Sequence, residues 1–330
     1  MRISVVGVGA VGGTLTALLA RAGHEVHAVA RGATLDALRE HGIRLRGAQG
    51  NFTVAVSASD AVASDTELVL LAVRTYQTEA AVQQQAGAIA STPIVVTQNG
   101  VRGPSEVARL LGRSDGIYGL VSTFPATNLG AAEIRVTGPG KLTLAAISAG
   151  GYGAAQELAG AFTGALPSAA SPNLDGLLWM KLFLNQVNAL PAVTGLSVQR
   201  VSAHPLLAPI VARSLEELVS VADARRICFA RVAGMHPHFA DLVRDGRALE
   251  VVRGKLGRMF GTTPNPASTL QSIRRGQITE IDALNGEVVR SAAAVGLAVP
   301  VNTRVTRLVH EVSATQRFLP PRELARRVMA

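Results

Sequence analysis

Gly7, Gly9 and Gly12 fall in Gly7-Val8-Gly9-Ala10-Val11-Gly12, directly after the apolar run Ile3-Ser4-Val5-Val6 and ahead of an apolar helical stretch from Thr14 to Arg21. That order of strand, glycine turn and helix suits a dinucleotide: Gly7 permits the tight turn, Gly9 lets the backbone approach a pyrophosphate, and Gly12 allows close packing of helix on strand. Free N–H groups at the helix start would face the phosphates. An ordinary glycine-rich turn is the competing reading, and the surrounding strand and helix weigh against it. The next apolar run, Glu25-Val26-His27-Ala28-Val29-Ala30, ends in Arg31 with no carboxylate at that end. A carboxylate there would bind the ribose 2′-hydroxyl of NAD, whereas an arginine accommodates a 2′-phosphate, so NADPH/NADP is the expected cofactor. A surface arginine is the alternative for Arg31.

A second polar set lies far downstream. In Trp179-Met180-Lys181-Leu182-Phe183-Leu184-Asn185-Gln186-Val187-Asn188, Lys181 and Asn185 are four residues apart and share a helix face, with Asn188 close by. On an apolar helix such groups are costly to bury without partners, and a solvated face is the alternative. Asn265-Pro266-Ala267-Ser268 offers Ser268 as a helix N-cap. Thr279-Glu280-Ile281-Asp282 places two carboxylates in one helical turn, ahead of Asn285-Gly286, with a plain exposed helix as the alternative. Spacing alone leaves open whether these segments meet. His236-Pro237-His238 reads as a loop, because nothing supplies further ligands, and no metal is expected.

These residues need a scaffold. The 330 residues, 48% hydrophobic, suffice for two cores. Apolar runs Ile3 to Val6, Val26 to Ala30, Phe52 to Val56, Leu68 to Val73, Ile94 to Thr97 and Ile117 to Ser122 alternate with helical ones, the pattern of an α/β fold with a doubly wound parallel sheet. Ligands of such sheets lie beyond the carboxyl ends of the strands, where Arg74-Thr75-Tyr76-Gln77 and Gln98-Asn99-Gly100 occur. An antiparallel piece, Glu133 to Val136 and Lys141 to Ala145, flanks Gly138-Pro139-Gly140, and a linker is expected near Gly150-Gly151. From about Asn173 the chain reads as helical: Leu174 to Leu190, ended by Gly195, then Leu206 to Ala233, Phe239 to Arg247, Ser268 to Arg275, Ile278 to Val295 and Asn302 to Ser313. The expected organisation is a Rossmann-type domain over 1–170 and an all-helical domain over 171–330.

The single cysteine, Cys228, excludes a disulfide framework and reads as a buried structural thiol on a helix. The uncharged run Ile3 to Ala20 resembles a signal peptide or membrane anchor, but its four glycines argue for a turn between strand and helix, so a cytoplasmic protein with no membrane partner is expected. A net charge of +9 is spread along the chain and aromatics are 4%, which argues against nucleic acid.

Taken together, the glycine fingerprint, Gln98-Asn99-Gly100, Lys181 with Asn185, Asn265 with Ser268, and Thr279-Glu280-Ile281-Asp282 with Asn285-Gly286 resemble the 2-dehydropantoate 2-reductase (ketopantoate reductase) family over nearly the whole chain. The resemblance implies a Rossmann domain followed by a helical domain, with NADPH and a 2-oxo acid meeting in a cleft between them. It makes Lys181 the catalytic lysine, Glu280 the active-site glutamate, and Asn99, Asn185, Ser268 and, more loosely, Asn265 the contacts to substrate or cofactor. Gly7, Gly9, Gly12, Arg31 and Arg74 fall to the cofactor, with Arg74 standing where the family often has a lysine. The family's second asparagine, four residues after Asn185, is replaced by Ala189, and Asn188 is shifted by one, about 100° around a helix.

Ketone reduction needs a hydride from nicotinamide while the carbonyl oxygen gains charge, which a cationic Lys181 would stabilise and protonate. Asn185 and Ser268 would grip the substrate carboxylate, and Glu280 would accept from a substrate hydroxyl or hold Lys181. The expected role is supply of pantoate for pantothenate and coenzyme A synthesis. A paralogue acting on another 2-oxo acid and a non-catalytic NADP sensor are the alternatives, and homodimerisation stays open.

Overall fold

The uncharged start of the chain is buried because it is covered from two sides. A computed structural model describes every residue except Ala233, Phe260, Thr262 and Ala330, and the side chains of all of these but Lys255 and Arg258. In chain order the strands are β1 (Arg2–Val6), β2 (Glu25–Val29), β3 (Ile43–Gly47), β4 (Phe52–Val54), β5 (Ser57–Ser59), β6 (Leu68–Leu71), β7 (Ile94–Val96), β8 (Ile117–Ser122), β9 (Ala126–Gly130), β10 (Glu133–Val136), β11 (Leu142–Ala146) and β12 (Ser168–Ala170). Helices α1 (Ala10–Arg21), α2 (Gly32–His41), α3 (Thr78–Ile89), α4 (Gly103–Leu111) and α5 (Tyr152–Phe162) lie between them. By contacts the chain forms two units, Met1–Gln98 with Arg102–Leu177, and Asn99–Val101 with Leu178–Ala330.

In the first unit an eight-stranded sheet runs β12-β11-β8-β7-β6-β1-β2-β5. Its centre, from β8 to β5, is parallel, and β11 is antiparallel to β8. Strands of a parallel sheet covered by helices are buried on both faces and carry few polar residues. α1 is just as apolar because a second sheet, β4-β3-β10-β9, packs on it. Residues Gly12 to Leu19 are all buried, and a Cβ at Gly13 would come 2.8 Å from Ile134 in β10.

That second sheet corrects two expectations. Phe52 to Val56 does not enter the parallel sheet: β4 pairs antiparallel with β3. β3 went unread because Ile43-Arg44-Leu45-Arg46 alternates, burying Ile43 and Leu45 while Arg44 and Arg46 reach Glu133. Glu133 to Val136 and Lys141 to Ala145 are not partners either, since β10 pairs with β9 and β3, and β11 with β8 and β12. Gly138-Pro139-Gly140 therefore carries the chain from one sheet to the other. Gly150-Gly151 is no linker but part of a 3-10 turn, Ala149–Gly151, leading into α5.

The second unit comprises α6 (Leu174–Asn185), which starts within the first, then α7 (Ala189–Thr194), α8 (Val198–Ala203), α9 (Ala208–Ala224), α10 (His238–Arg244), α11 (Ala248–Glu250), α12 (Gly257–Met259), α13 (Ala267–Arg274), α14 (Asn285–Ala293), α15 (Pro300–Thr315) and α16 (Pro321–Met329). The helix expected from Leu174 to Leu190 is interrupted by a 3-10 turn, Gln186–Asn188, before α7 ends on left-handed Gly195. α9 stops well short of Ala233, which lies outside the described residues. Arg226, at φ +57°, turns the chain out of the helix, with its N–H on Asp223 O at 2.9 Å. Cys228 is consequently exposed and beyond the helix, not a buried structural thiol. The stretch from Ile278 divides into a 3-10 turn, Ile281–Ala283, and α14. Among the described residues no helix is long and apolar enough to cross a membrane.

The two glycines of the turn separate cleanly by substitution. A Cβ at Gly12 would overlap Gly7 O and come 2.8 Å from the Ala72 methyl, so Gly12→Ala should lower the free energy of unfolding by about 2 kcal/mol or more in urea titrations. A Cβ at Gly9 meets nothing within 4 Å, and Gly9→Ala should stay within about 0.5 kcal/mol of the parent. Equal destabilisation of both variants would contradict this account of the turn.

Candidate active site

The glycine turn in the first unit is held against the ends of two neighbouring strands. Gly7 has φ +97°, and its N–H donates to Val29 O at the end of β2 (3.1 Å). A Cβ at Gly7 would lie 2.8 Å from Val73 N, just past β6, so only glycine fits there. Gly9 is the N-cap of α1, with no side-chain cap and no acidic residue in the first turn. The helix thus presents bare N–H groups and the positive end of its dipole beside open space. Arg31 stands exposed at the N-cap of α2, two residues after β2 ends. Arg74 follows Val73 directly and is half-buried, with its N–H on Gln77 Oε1 at 3.2 Å. Gly7, Gly9, Gly12, Arg31 and Arg74 therefore gather at the carboxyl ends of β1, β2 and β6. Open space at Gly9, an uncapped helix start and two arginines suit the pyrophosphate and an additional phosphate of a dinucleotide.

In the second unit the polar residues converge. α6 buries Leu178, Trp179, Met180, Leu182, Phe183 and Leu184. Lys181 sits on this apolar helix, and burial pushes its pKa down to about 8. One turn on, Asn185 is 7% exposed, Asn188 8% and Glu280 7%. Their side chains form a chain with Asn99: Asn188 Nδ2 donates to Asn185 Oδ1 (3.2 Å), Asn185 Nδ2 to Asn99 Oδ1 (3.4 Å), and Asn99 Nδ2 to Glu280 Oε2 (3.1 Å). The direction is fixed from one end. A carboxylate offers acceptors only, so Asn99 must turn its NH₂ to Glu280, leaving its oxygen for the NH₂ of Asn185, whose oxygen then faces Asn188.

Backbone constraints bring Asn99 to Glu280. Gly100 has φ +85°, and a Cβ there would come 2.7 Å from Ala283 O, so the chain lies directly on the turn that follows Glu280. Glu280 precedes the 3-10 turn and its carbonyl accepts from Ala283 N (2.9 Å). The two carboxylates expected on one helical turn therefore part: Asp282, 62% exposed, pairs at the surface with His310 (2.9 Å).

Ser268 is not the N-cap of α13. It lies inside the helix, and the side chain of Asn265 accepts from Ala267 N–H (2.9 Å) instead. Ala267 takes φ +60°, which swings the chain into the helix two residues earlier than a serine cap requires. Asn265 is itself fixed by Gln199 Oε1 on its N–H (3.0 Å), and its carbonyl accepts from Val198 N (2.8 Å). α13, carrying half-buried Ser268, packs against α7 and the turn Gln186–Asn188. The segments left apart by spacing alone thus do meet.

A buried cluster that sequence reading missed holds these elements. Gln186 Oε1 accepts from Ser214 Oγ (2.7 Å) and from Asn285 Nδ2 (2.9 Å), which also reaches Asn302 Oδ1 (3.0 Å). Asn302 Nδ2 donates to Glu217 Oε2 (2.7 Å), and that carboxylate accepts from Val301 N and Asn302 N at the start of α15 (2.8 Å each). The available signal was Asn285 in the Asn285-Gly286 pair and a lone Ser214 in an amphipathic helix.

Both halves of the chain resemble proteins of one family. The family model for ketopantoate reductase PanE/ApbA matches residues 3–149, and the model for its C-terminal part matches residues 173–313. The 2-dehydropantoate 2-reductase of Shigella flexneri is 29% identical over 313 residues, 94% of either chain, and that of Archaeoglobus fulgidus is 27% identical over 315 residues, 95% of this chain and 98% of the relative. Among solved structures, a PanE/ApbA family ketopantoate reductase from Ralstonia eutropha JMP134 superposes with TM-score 0.78 at 29% identity, covering 96% of this chain and 99% of that one. A D-mandelate dehydrogenase in ternary complex with NADH and anilino(oxo)acetate shares the fold, with TM-score 0.82 at 21% identity and the same coverage. With both halves of the chain matched in order, and with relatives of one description spanning it end to end, the chain belongs to the ketopantoate reductase PanE/ApbA family of oxidoreductases.

Proposed function

We propose that this chain reduces 2-dehydropantoate (ketopantoate) to pantoate with NADPH, the step that supplies pantoate for pantothenate and coenzyme A. The observation that carries the reading is the one-way chain of amides that ends on buried Glu280 and includes Asn185, itself one helical turn from Lys181 on an apolar helix. The family membership and the descriptions of the relatives support the same substrate.

The residues divide the work as follows. Bound NADPH supplies a hydride from its nicotinamide. Gly7, Gly9 and Gly12 let the turn receive the pyrophosphate, and Arg31 and Arg74 meet the 2′-phosphate. Arg74 offers a planar fork where a lysine would offer a point charge, and the two are not equivalent in geometry. Asn99 would contact substrate and cofactor. Asn185 and Ser268 donate to the substrate carboxylate, with Asn265 setting the loop that carries Ser268. The Lys181 ammonium stabilises the oxygen that becomes negative as the carbonyl carbon takes the hydride, then gives it a proton. The products are the 2-hydroxy acid, NADP and a neutral lysine that regains its proton from water. Glu280 accepts from the substrate hydroxyl.

The direct test is NADPH oxidation on adding ketopantoate, beside a panel of other 2-oxo acids. No oxidation with ketopantoate, but turnover of another member, would reassign the substrate. No turnover at all would favour a cofactor-sensing role. NADPH should be preferred to NADH, and Arg31→Ala should raise the KM for NADPH far more than that for NADH. Equal losses with both would remove Arg31 from the phosphate site.

Lys181→Ala should lower kcat by about 100-fold or more, the scale of general acid catalysis, while NADPH still binds. The protonated lysine is the working form, so the reduction rate should hold below about pH 8 and fall above it as the ammonium is lost. A rate that stays flat through that range would leave Lys181 without the role of acid.

Glu280→Ala removes the acceptor for a substrate hydroxyl, a group whose loss leaves a buried carboxylate short of a partner. The ratio of kcat/KM for ketopantoate to that for its deoxy analogue should shrink toward one in the variant. If the ratio is unchanged, Glu280 acts by orienting Asn99 or Lys181 and not by reading the hydroxyl.

A further inference from the structure

Asn188 stands outside the roles just assigned, and on a regular α-helix it would point about 60° away from Asn185. The turn Gln186–Asn188 is instead a 3-10 turn, with three residues per turn, so residues three apart eclipse. Asn188 is thereby brought over Asn185, and the two buried amides hydrogen-bond at 3.2 Å. The turn is held from the other side as well, because Gln186 is tied to Ser214 and Asn285.

We infer that Asn188 is a positioning residue for substrate recognition: eclipsed over Asn185 by the 3-10 turn, it locks the Asn185 amide in the orientation that the Glu280 end of the row sets toward the bound 2-oxo acid. The inference rests on the 2-oxo acid reading of this site. Asn185 is gripped at both ends, by Asn99 Oδ1 on its NH₂ and by Asn188 on its oxygen. With both bonds present, the NH₂ keeps one N–H for a substrate carboxylate. Without Asn188 only the longer bond, 3.4 Å, resists exchange of the two ends. An amide turned round would present its oxygen to the carboxylate, and acceptor against acceptor weakens binding. Asn188 acts through Asn185 and touches no substrate.

The test uses the full chain with Asn188→Ala, the isosteric Asn188→Leu, Asn185→Ala and the double variant Asn185→Ala with Asn188→Ala. Loss of one neutral hydrogen bond corresponds to about a three- to tenfold effect. Both Asn188 variants should raise the KM for ketopantoate by that factor and leave NADPH affinity within about twofold of the parent. In the Asn185→Ala background the further Asn188→Ala change should alter KM by less than about 1.5-fold, since neighbours that act as a unit are not additive. An unchanged KM, or the same factor with and without Asn185, would overturn the inference. Failure of the parent enzyme to reduce any 2-oxo acid would sink the functional reading alone. The amide contact is then read without turnover, from the side-chain NH₂ resonances of ¹⁵N-asparagine-labelled protein. Asn188→Leu should shift the Asn185 signal, and a signal that stays in place would overturn the contact.

Discussion

The second unit depends on a buried knot of hydrogen bonds among Gln186, Ser214, Asn285 and Asn302, all 0–1% exposed. Each belongs to a different element: the turn after α6, then α9, α14 and α15. A buried polar group without a partner costs about 1–3 kcal/mol, so each alternative packing of these elements would forfeit several such bonds at once. The knot lies next to the site in sequence. Gln186 follows Asn185 directly, and Asn285 comes five residues after Glu280. The same bonds that align the helices therefore fix the turn that presents Asn185 and Asn188 and the start of the helix that follows Glu280.

Both polar chains are oriented by a carboxylate at one end. Glu217, an acceptor only, takes the NH₂ of Asn302 and leaves its oxygen for Asn285; Glu280 takes the NH₂ of Asn99 and leaves its oxygen for Asn185. An asparagine in isolation turns either end to a neighbour at similar cost. Tied to a carboxylate, a row of amides has one arrangement, and a site built from such amides keeps its donors in place without a metal or a charged partner at each position.

Much of this was legible in the sequence, and the exceptions have physical causes. The parallel strands and the glycine turn were readable because their residues are buried on both faces, and the order of strand, turn and helix is local. β3 was not, since a strand covered on one side alternates and its two arginines masked it. Asn185, Asn99 and Glu280 were picked out, but their meeting rests on Gly100 lying against Ala283 O, a contact between residues far apart in the chain. That Ser268 lies inside α13 was equally closed to sequence, because serine caps well and the strained φ of Ala267 starts the helix ahead of it.

The register shift at Asn188 shows where pattern and geometry part. Counted on an α-helix, an asparagine three residues after Asn185 lies about 60° to one side of it, where one at four lies about 40° to the other. Counted on a 3-10 turn it lies directly above. Helix type in such a short stretch is set by what surrounds it. Here Gln186, drawn to Ser214 and Asn285, holds the turn tight, and Val187 and Ala189 are fully buried on either side of Asn188. A polar residue displaced by one in the sequence can thus keep its neighbour when the backbone winds more tightly, and the scaffold's own hydrogen bonds supply the reason it does.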